Sequence, residues 1–231
     1  MSVKKSRNLL CLIVWMSLLS GTGCHPLNQP TFGEEIKQEM NPAQAIRLLV
    51  EGNQRFVTGH LAEKDVIQDR NQLISEKKPI AVIISCSDSR AAPEIVFDQS
   101  LGALFVIRVA GNIVNDDVIG SVQYAVDHFN VPLVLVLGHE NCGAVIEALN
   151  RRKHPAYLQS IVNKIEPAAE KAISAGLAKE DLIDRAVIEN VKLVEEELHE
   201  HSALNEKLAN GDLKIIGGEY HLASGKVTWL K

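Results

Sequence analysis

Two short motifs, Cys86-Ser87-Asp88-Ser89-Arg90 and His139-Glu140-Asn141-Cys142, contain the residue types best suited to holding a soft divalent ion. Thiolate sulfur combined with neutral imidazole nitrogen is a ligand set that suits zinc. Cys86, His139 and Cys142 therefore predict one zinc ion as the cofactor. His139 and Cys142 are spaced for chelation from a single turn. His199 and His201 lie two apart in a helical stretch, do not share a face, and read as solvated surface. A Cys86–Cys142 disulfide in an oxidising compartment is the alternative for the two thiols, but it leaves His139 and Asp88 without a purpose. A thiol redox role would call for a Cys-x-x-Cys pair, which this chain lacks.

The elements that must position these groups can be read from the apolar pattern. Ile80–Ser85 and Leu133–Gly138 are continuous aliphatic runs without polar alternation, as expected of strands buried on both faces of a parallel sheet. Each motif begins where its strand ends, and the crevice beyond the carboxyl ends of parallel strands is where distant ligands can meet. Leu104–Ile107 is a third candidate central strand. Gly143–Leu149 reads as a helix whose N-terminus, with its partial positive charge, would favour a Cys142 thiolate.

Asn41-Pro42 predicts a capped N-terminal helix ending near Gly59, followed by a second helix from about Ala62 to Ser75. Shorter and longer helices are expected over Ala92–Asp98 and Asp116–Phe129. Pro155–Leu208 is mostly helical with a break near Gly176. Leu213–Tyr220 and Lys226–Leu230 are expected as the last strands. The prediction is one α/β domain with a central, mostly parallel sheet flanked by helices.

With 231 residues, 46% of them hydrophobic, the chain can build a substantial core. Its net charge of -5, with no basic aromatic stripe, argues against nucleic acid and for a small-molecule substrate. Residues 1–24 have a basic start, an apolar stretch from Leu9 to Leu19 and a small-residue end, the pattern of a secretory signal. Cys24 resembles the lipidated cysteine of a bacterial lipoprotein leader, although Gly21 stands where that pattern usually has Leu. A simply cleaved signal is the alternative. The chain is thus expected to be exported to the periplasm, with Cys24 as a lipid anchor, residues 25–40 as a tether and residues 41–231 as the catalytic domain.

With Cys-x-Asp-x-Arg and His-x-x-Cys in order, the sequence closely resembles the bacterial β-class carbonic anhydrases. The likeness runs from about Asn41 to the C-terminus. It includes Gly52-Asn53-Gln54-Arg55-Phe56, Phe105–Asn112 and Gly138–Gly143. The resemblance implies a parallel-sheet fold in homodimers or homotetramers, with N-terminal helices packed on the partner subunit and one zinc per subunit. It implies that Cys86, His139 and Cys142 are the constant metal ligands. Asp88 either takes the fourth metal position or swings to Arg90, leaving that position to water.

The implied reaction is reversible hydration of carbon dioxide to bicarbonate and a proton by zinc-bound hydroxide, with Asp88 and Arg90 as a catalytic dyad. Phe105 and Tyr124 match an aromatic pair of the substrate pocket in the plant-like subgroup, and Gly143 lies where backbone can approach substrate. Lys77 replaces a glutamine expected in that subgroup. Ile83 replaces the tryptophan of the bicarbonate-gated subgroup, which argues against such gating. Two other readings keep the metal: hydrolysis of carbon disulfide or carbonyl sulfide on the same fold, and a non-catalytic module clamped by zinc. The second would be marked by loss of Asp88 or Arg90, and both are present.

Overall fold

Three apolar runs become parallel strands in the computed structural model, which describes residues 40–74 and 78–230, without the side chains of residues 179 and 180. They are β1 (Ala81–Ser85), β2 (Leu104–Arg108) and β3 (Leu133–His139); β4 (Lys214–Tyr220) and β5 (Val227–Trp229) complete a sheet of order β2-β1-β3-β4-β5. β1 pairs in parallel with β2 and β3, β3 in parallel with β4, and only β5 runs antiparallel. The expected α/β architecture is therefore present. Every residue of β1 and β3 is buried, which explains their lack of polar alternation. β2 departs from the expectation of a central strand. It is one of the two edge strands, its apolar residues are half-buried and Arg108 is exposed.

Successive residues of a strand face opposite sides of the sheet, and two core layers follow. Val82 and Ile84 pack with Val134, Val136, Val191 and Leu198 under α4 (Asp116–Phe129) and α7 (Lys179–Glu200). Ile83 packs with Leu135, Phe97, Ala45 and Leu49 under α1 (Pro42–Thr58) and α3 (Pro93–Val96). A third cluster joins Cys86 and Cys142 to Val145, Val162, Ile165 and Val187 of α5 (Gly143–Asn150), α6 (Ala156–Ser174) and α7. The metal motifs are thus anchored in core.

α1 starts on a capping box in which Asn41 and Gln44 bond each other's backbone N–H. Its Gly52 lets the helix close on Phe97, because a Cβ there would lie 1.8 Å from the Phe97 carbonyl oxygen. Next to it, the buried Asn53 donates to the carbonyls of Val96 and Gly225 and accepts from the N–H of Val227. Arg55 pairs with the buried Asp98, which also receives Lys64 and the N–H of Ala62. Burial pulls the Asp98 carboxyl up, but Lys64, Ala62 and Arg55 bring it down to about 2. These contacts explain much of the Gly52–Phe56 motif as a staple between the N-terminal helix and the loops beneath it.

The second helix, α2, is shorter than predicted, Val66–Gln72. Asp65 caps it by accepting from the N–H groups of Ile67 and Gln68, and the N–H of Ala62 is spent on Asp98, so residues 62–64 stay outside the helix. The helical stretch near the C-terminus breaks twice. α6 ends at Ser174 before Gly176, and a 3-10 turn over Ser202–Leu204 separates α7 from α8 (Asn205–Asn210). His199 and His201 are exposed, as expected. The predicted leader 1–24 and all of the tether except Met40 lie outside the described residues, as does Lys77. No described helix is long and apolar enough to cross a membrane.

Candidate metal centre

Cys86 follows the last residue of β1, His139 ends β3, and Cys142 is the N-cap of α5. Because Ser85 is in register with Leu137, both motifs emerge from the same end of neighbouring strands. The donor atoms of Cys86, His139 and Cys142 lie within 4.8 Å of one another, and all three residues are buried. The two sulfurs stand 4.0 Å apart, well beyond the ~2.05 Å of a disulfide bond. Both cysteines are free, so the disulfide alternative is not the arrangement adopted.

The imidazole is oriented for ligation. His139 Nδ1 lies 2.9 Å from the carbonyl oxygen of Glu140, an acceptor that fixes the proton on Nδ1 and leaves the Nε2 lone pair free. Nε2 is buried and has no hydrogen-bond partner. An orphaned buried nitrogen facing two thiols is costly unless a cation completes it. The thiols carry the same message. Contact with Cys142 is the largest influence holding the Cys86 thiol well below its ordinary range, and that contact together with burial pushes Cys142 far up. Two adjacent buried thiolates repel each other, and a divalent ion between them removes the conflict. The N–H groups of Ala144 and Val145, at the start of α5, favour the Cys142 thiolate as predicted. These residues fit zinc.

Asp88 stands beside the triad, with Oδ2 3.9 Å from His139 Nε2. Its carboxylate is engaged by Arg90, which donates from Nε to Oδ1 at 2.9 Å and from Nη2 to Oδ2 at 2.7 Å. The backbone N–H of Arg90 adds a third bond to Oδ1. The Arg90 guanidinium is the first cause holding the Asp88 carboxyl far below the usual carboxylate range.

Residues outside the predicted set support this loop. Arg108 donates from Nε to the Cys86 carbonyl and from Nη2 to the Asp88 carbonyl, at 3.0 and 2.5 Å. Gly111 donates its N–H to the Cys86 sulfur at 3.3 Å. The available signal was a charged residue, then a glycine, directly after the apolar run of β2.

Gly143 opens α5; it is exposed, with open space where a Cβ would be. Phe105 and Tyr124 meet, ring centroids 6.3 Å apart, in an aromatic group with Phe129 and His128 on β2 and α4. Phe105 is in register with Val82, four residues before Cys86, which sets it about 13 Å back along the sheet at ~3.3 Å per residue. Within the subunit this pair therefore belongs to the sheet edge, while Asp88, Arg90 and Gly143 gather at the ligands. Ile83 is fully buried under α1.

Residues 81–227 match the family described as carbonic anhydrase. Carbonic anhydrase 2 of Mycobacterium tuberculosis is 40% identical over 192 residues, covering 80% of this chain and 91% of that protein. The solved β-carbonic anhydrase CcaA superposes with a TM-score of 0.66 at 29% identity, covering 80% of this chain and 87% of its own. The fold is also shared with a structure from a study of two tetrameric β-carbonic anhydrases of Sordaria macrospora, at TM-score 0.65 and 22% identity, covering 81% and 94% of the two chains. With a sheet of matching architecture carrying a Cys–His–Cys donor set at its carboxyl end, the chain belongs to the carbonic anhydrase family, in its β class.

Proposed function

We propose that this protein catalyses the reversible hydration of carbon dioxide to bicarbonate and a proton. The observation that carries this reading is the unpartnered Nε2 of His139, set between two free thiols and beside an arginine-held carboxylate. Cys86, His139 and Cys142 would hold zinc, which would supply a Lewis acid able to lower the pKa of water from 15.7 toward ~7. Asp88, kept ionised by Arg90, is an acceptor only. It takes a hydrogen bond from the reacting water and orients that oxygen toward the carbon of carbon dioxide. Arg90 holds Asp88 by two parallel bonds, a geometry lysine would not reproduce. Gly143 leaves room for the substrate next to Cys142. Stopped-flow hydration measured together with zinc content tests the proposal. Wild type should hold one zinc per subunit and turn over carbon dioxide, and Cys142→Ser should lose both. Zinc-loaded protein without hydration activity would refute it.

The oligomer is part of the same reading. β2 is an open edge strand with half-buried Phe105 and Ile107, flanked by Tyr124 at 46% exposure. Val50, Leu61 and Ile95 are further exposed apolar residues. An apolar open edge calls for a cover, and a second copy of the chain supplies one; sedimentation should find a homodimer or homotetramer. Export rests on the leader pattern. We assign Cys24 as the acylated residue of a periplasmic, membrane-anchored protein. Radiolabelled palmitate should enter wild type, and equal labelling of Cys24→Ser would remove the assignment.

A further inference from the structure

Besides its neighbouring ligands, the Cys86 sulfur receives a bond from the main chain, and that stretch of main chain is itself held by a buried side chain of α7. Gly111 donates its N–H to the Cys86 sulfur at 3.3 Å, and its carbonyl accepts from Asn190 Nδ2 at 2.8 Å. Asn190 is 1% exposed. Gly111 has a φ of +71°, and a Cβ there would lie 2.6 Å from Ile165 Cδ1 and 3.1 Å from Ala144 Cβ. The residue is thus enclosed by α5, α6 and α7, with its N–H turned toward the thiol. Asn112 closes the turn by donating its N–H to the Val109 carbonyl. The neighbour of Asn190, Glu189, is buried in ion pairs with Lys171 of α6 and Arg185, at 2.7 and 2.6 Å, which pin α7 where it presents the amide.

We propose that Asn190 is a positioning residue of the metal centre: through Gly111 it aims a backbone N–H at the Cys86 sulfur and sets how much charge that sulfur gives to the metal. The proposal rests on the zinc reading above. Two thiolates cancel the formal charge of a divalent ion and blunt its acidity. A hydrogen bond onto one of them withdraws electron density from the sulfur and leaves the metal more electrophilic. Partners of this kind outside the ligand set are worth about 10–100-fold in metal affinity or activity. If Asn190 served only to satisfy the Gly111 carbonyl, its loss would lower stability without changing the sulfur's donor strength.

The distinction is spectroscopic. Full-length protein is loaded with cobalt(II) in place of zinc, and the sulfur-to-cobalt charge-transfer absorption is recorded for wild type, Asn190→Leu, Asn190→Ser and Val194→Ala. Val194 is a buried residue of α7 in the other core layer and serves as the packing control. Both Asn190 variants should move the band to longer wavelength, because a thiolate without its donor gives up charge more readily, and should bind zinc about 10–100-fold more weakly, because the Cys86 sulfur is no longer held in place from behind and that loss of positioning outweighs its greater basicity. Val194→Ala should leave the band in place. If Asn190→Leu does not fold, Asn190→Ser, whose hydroxyl is too short to reach Gly111, carries the test. A folded Asn190 variant with the wild-type band and zinc affinity would overturn the proposal. A wild-type protein with no sulfur-to-cobalt band would overturn the metal centre itself.

Discussion

Replacing Asp88 by asparagine isolates the carboxylate while leaving all three metal donors in place. The side chain keeps its shape, so the oxygen that remains can still accept from the N–H and Nε of Arg90, now bonded to Oδ1 at 2.9 Å each. The other end changes sign. An amide NH2 at the position of Oδ2 faces Arg90 Nη2 at 2.7 Å, donor against donor, and stands 3.9 Å from His139 Nε2 as a donor where an acceptor had been. The reacting water loses the acceptor that orients it. A positioned acid–base group contributes typically 10²–10⁴-fold, so kcat for hydration should fall by about that factor, equivalent to ~2.7–5.4 kcal/mol in the barrier. Zinc content should be unchanged, which separates this variant from Cys142→Ser. Stopped-flow hydration normalised to bound zinc is the assay. Turnover within about threefold of wild type, at full zinc occupancy, would refute the dyad and return Asp88 and Arg90 to a structural loop pair.

Further predictions concern the frame around the centre. Asn53→Ala leaves the carbonyls of Val96 and Gly225 and the N–H of Val227 without their partner. At about 1 kcal/mol or more for each buried group left unpaired, urea unfolding should show a loss of roughly 3 kcal/mol or more, and a loss below about 1 would show that water replaces the amide. Glu219 is 3% exposed, and burial, with Asp184 and Glu140 nearby, pushes its carboxyl from 4.5 up to about 7. The folded protein holds this proton more tightly than the unfolded chain, so its contribution to stability is full at low pH and is lost as pH rises through about 7. Glu219→Gln removes that dependence. The Tm of the variant relative to wild type should therefore rise between pH 5 and pH 8, by an amount on the order of 1–3 kcal/mol in stability; a difference that stays flat with pH would contradict the burial argument.

The sequence alone carried the metal ligands and the strands that deliver them, and the physical reason is local. β1 and β3 are buried on both faces, so their composition is uniformly apolar, and a cysteine or histidine directly after such a run is conspicuous. Helix signals were equally local: Asn41-Pro42 marked the start of α1, and the predicted span of α4, Asp116–Phe129, matches the observed one. The α2 boundary was not legible, because the use of Ala62 and Lys64 depends on Asp98, a partner more than thirty residues away.

Tertiary structure decided what periodicity does not encode. β2 has the composition of a central strand yet lies at the edge, since strand order follows from how the crossovers pack, not from the strand's own residues. Folding alone brought Nε2 of His139 within reach of two sulfurs, turned Asp88 onto Arg90, and placed Asn190 of α7 behind Gly111. Side-chain type states which bonds a residue is able to make. Which bonds it does make depends on neighbours supplied by distant parts of the chain, and those are settled only when the layers close.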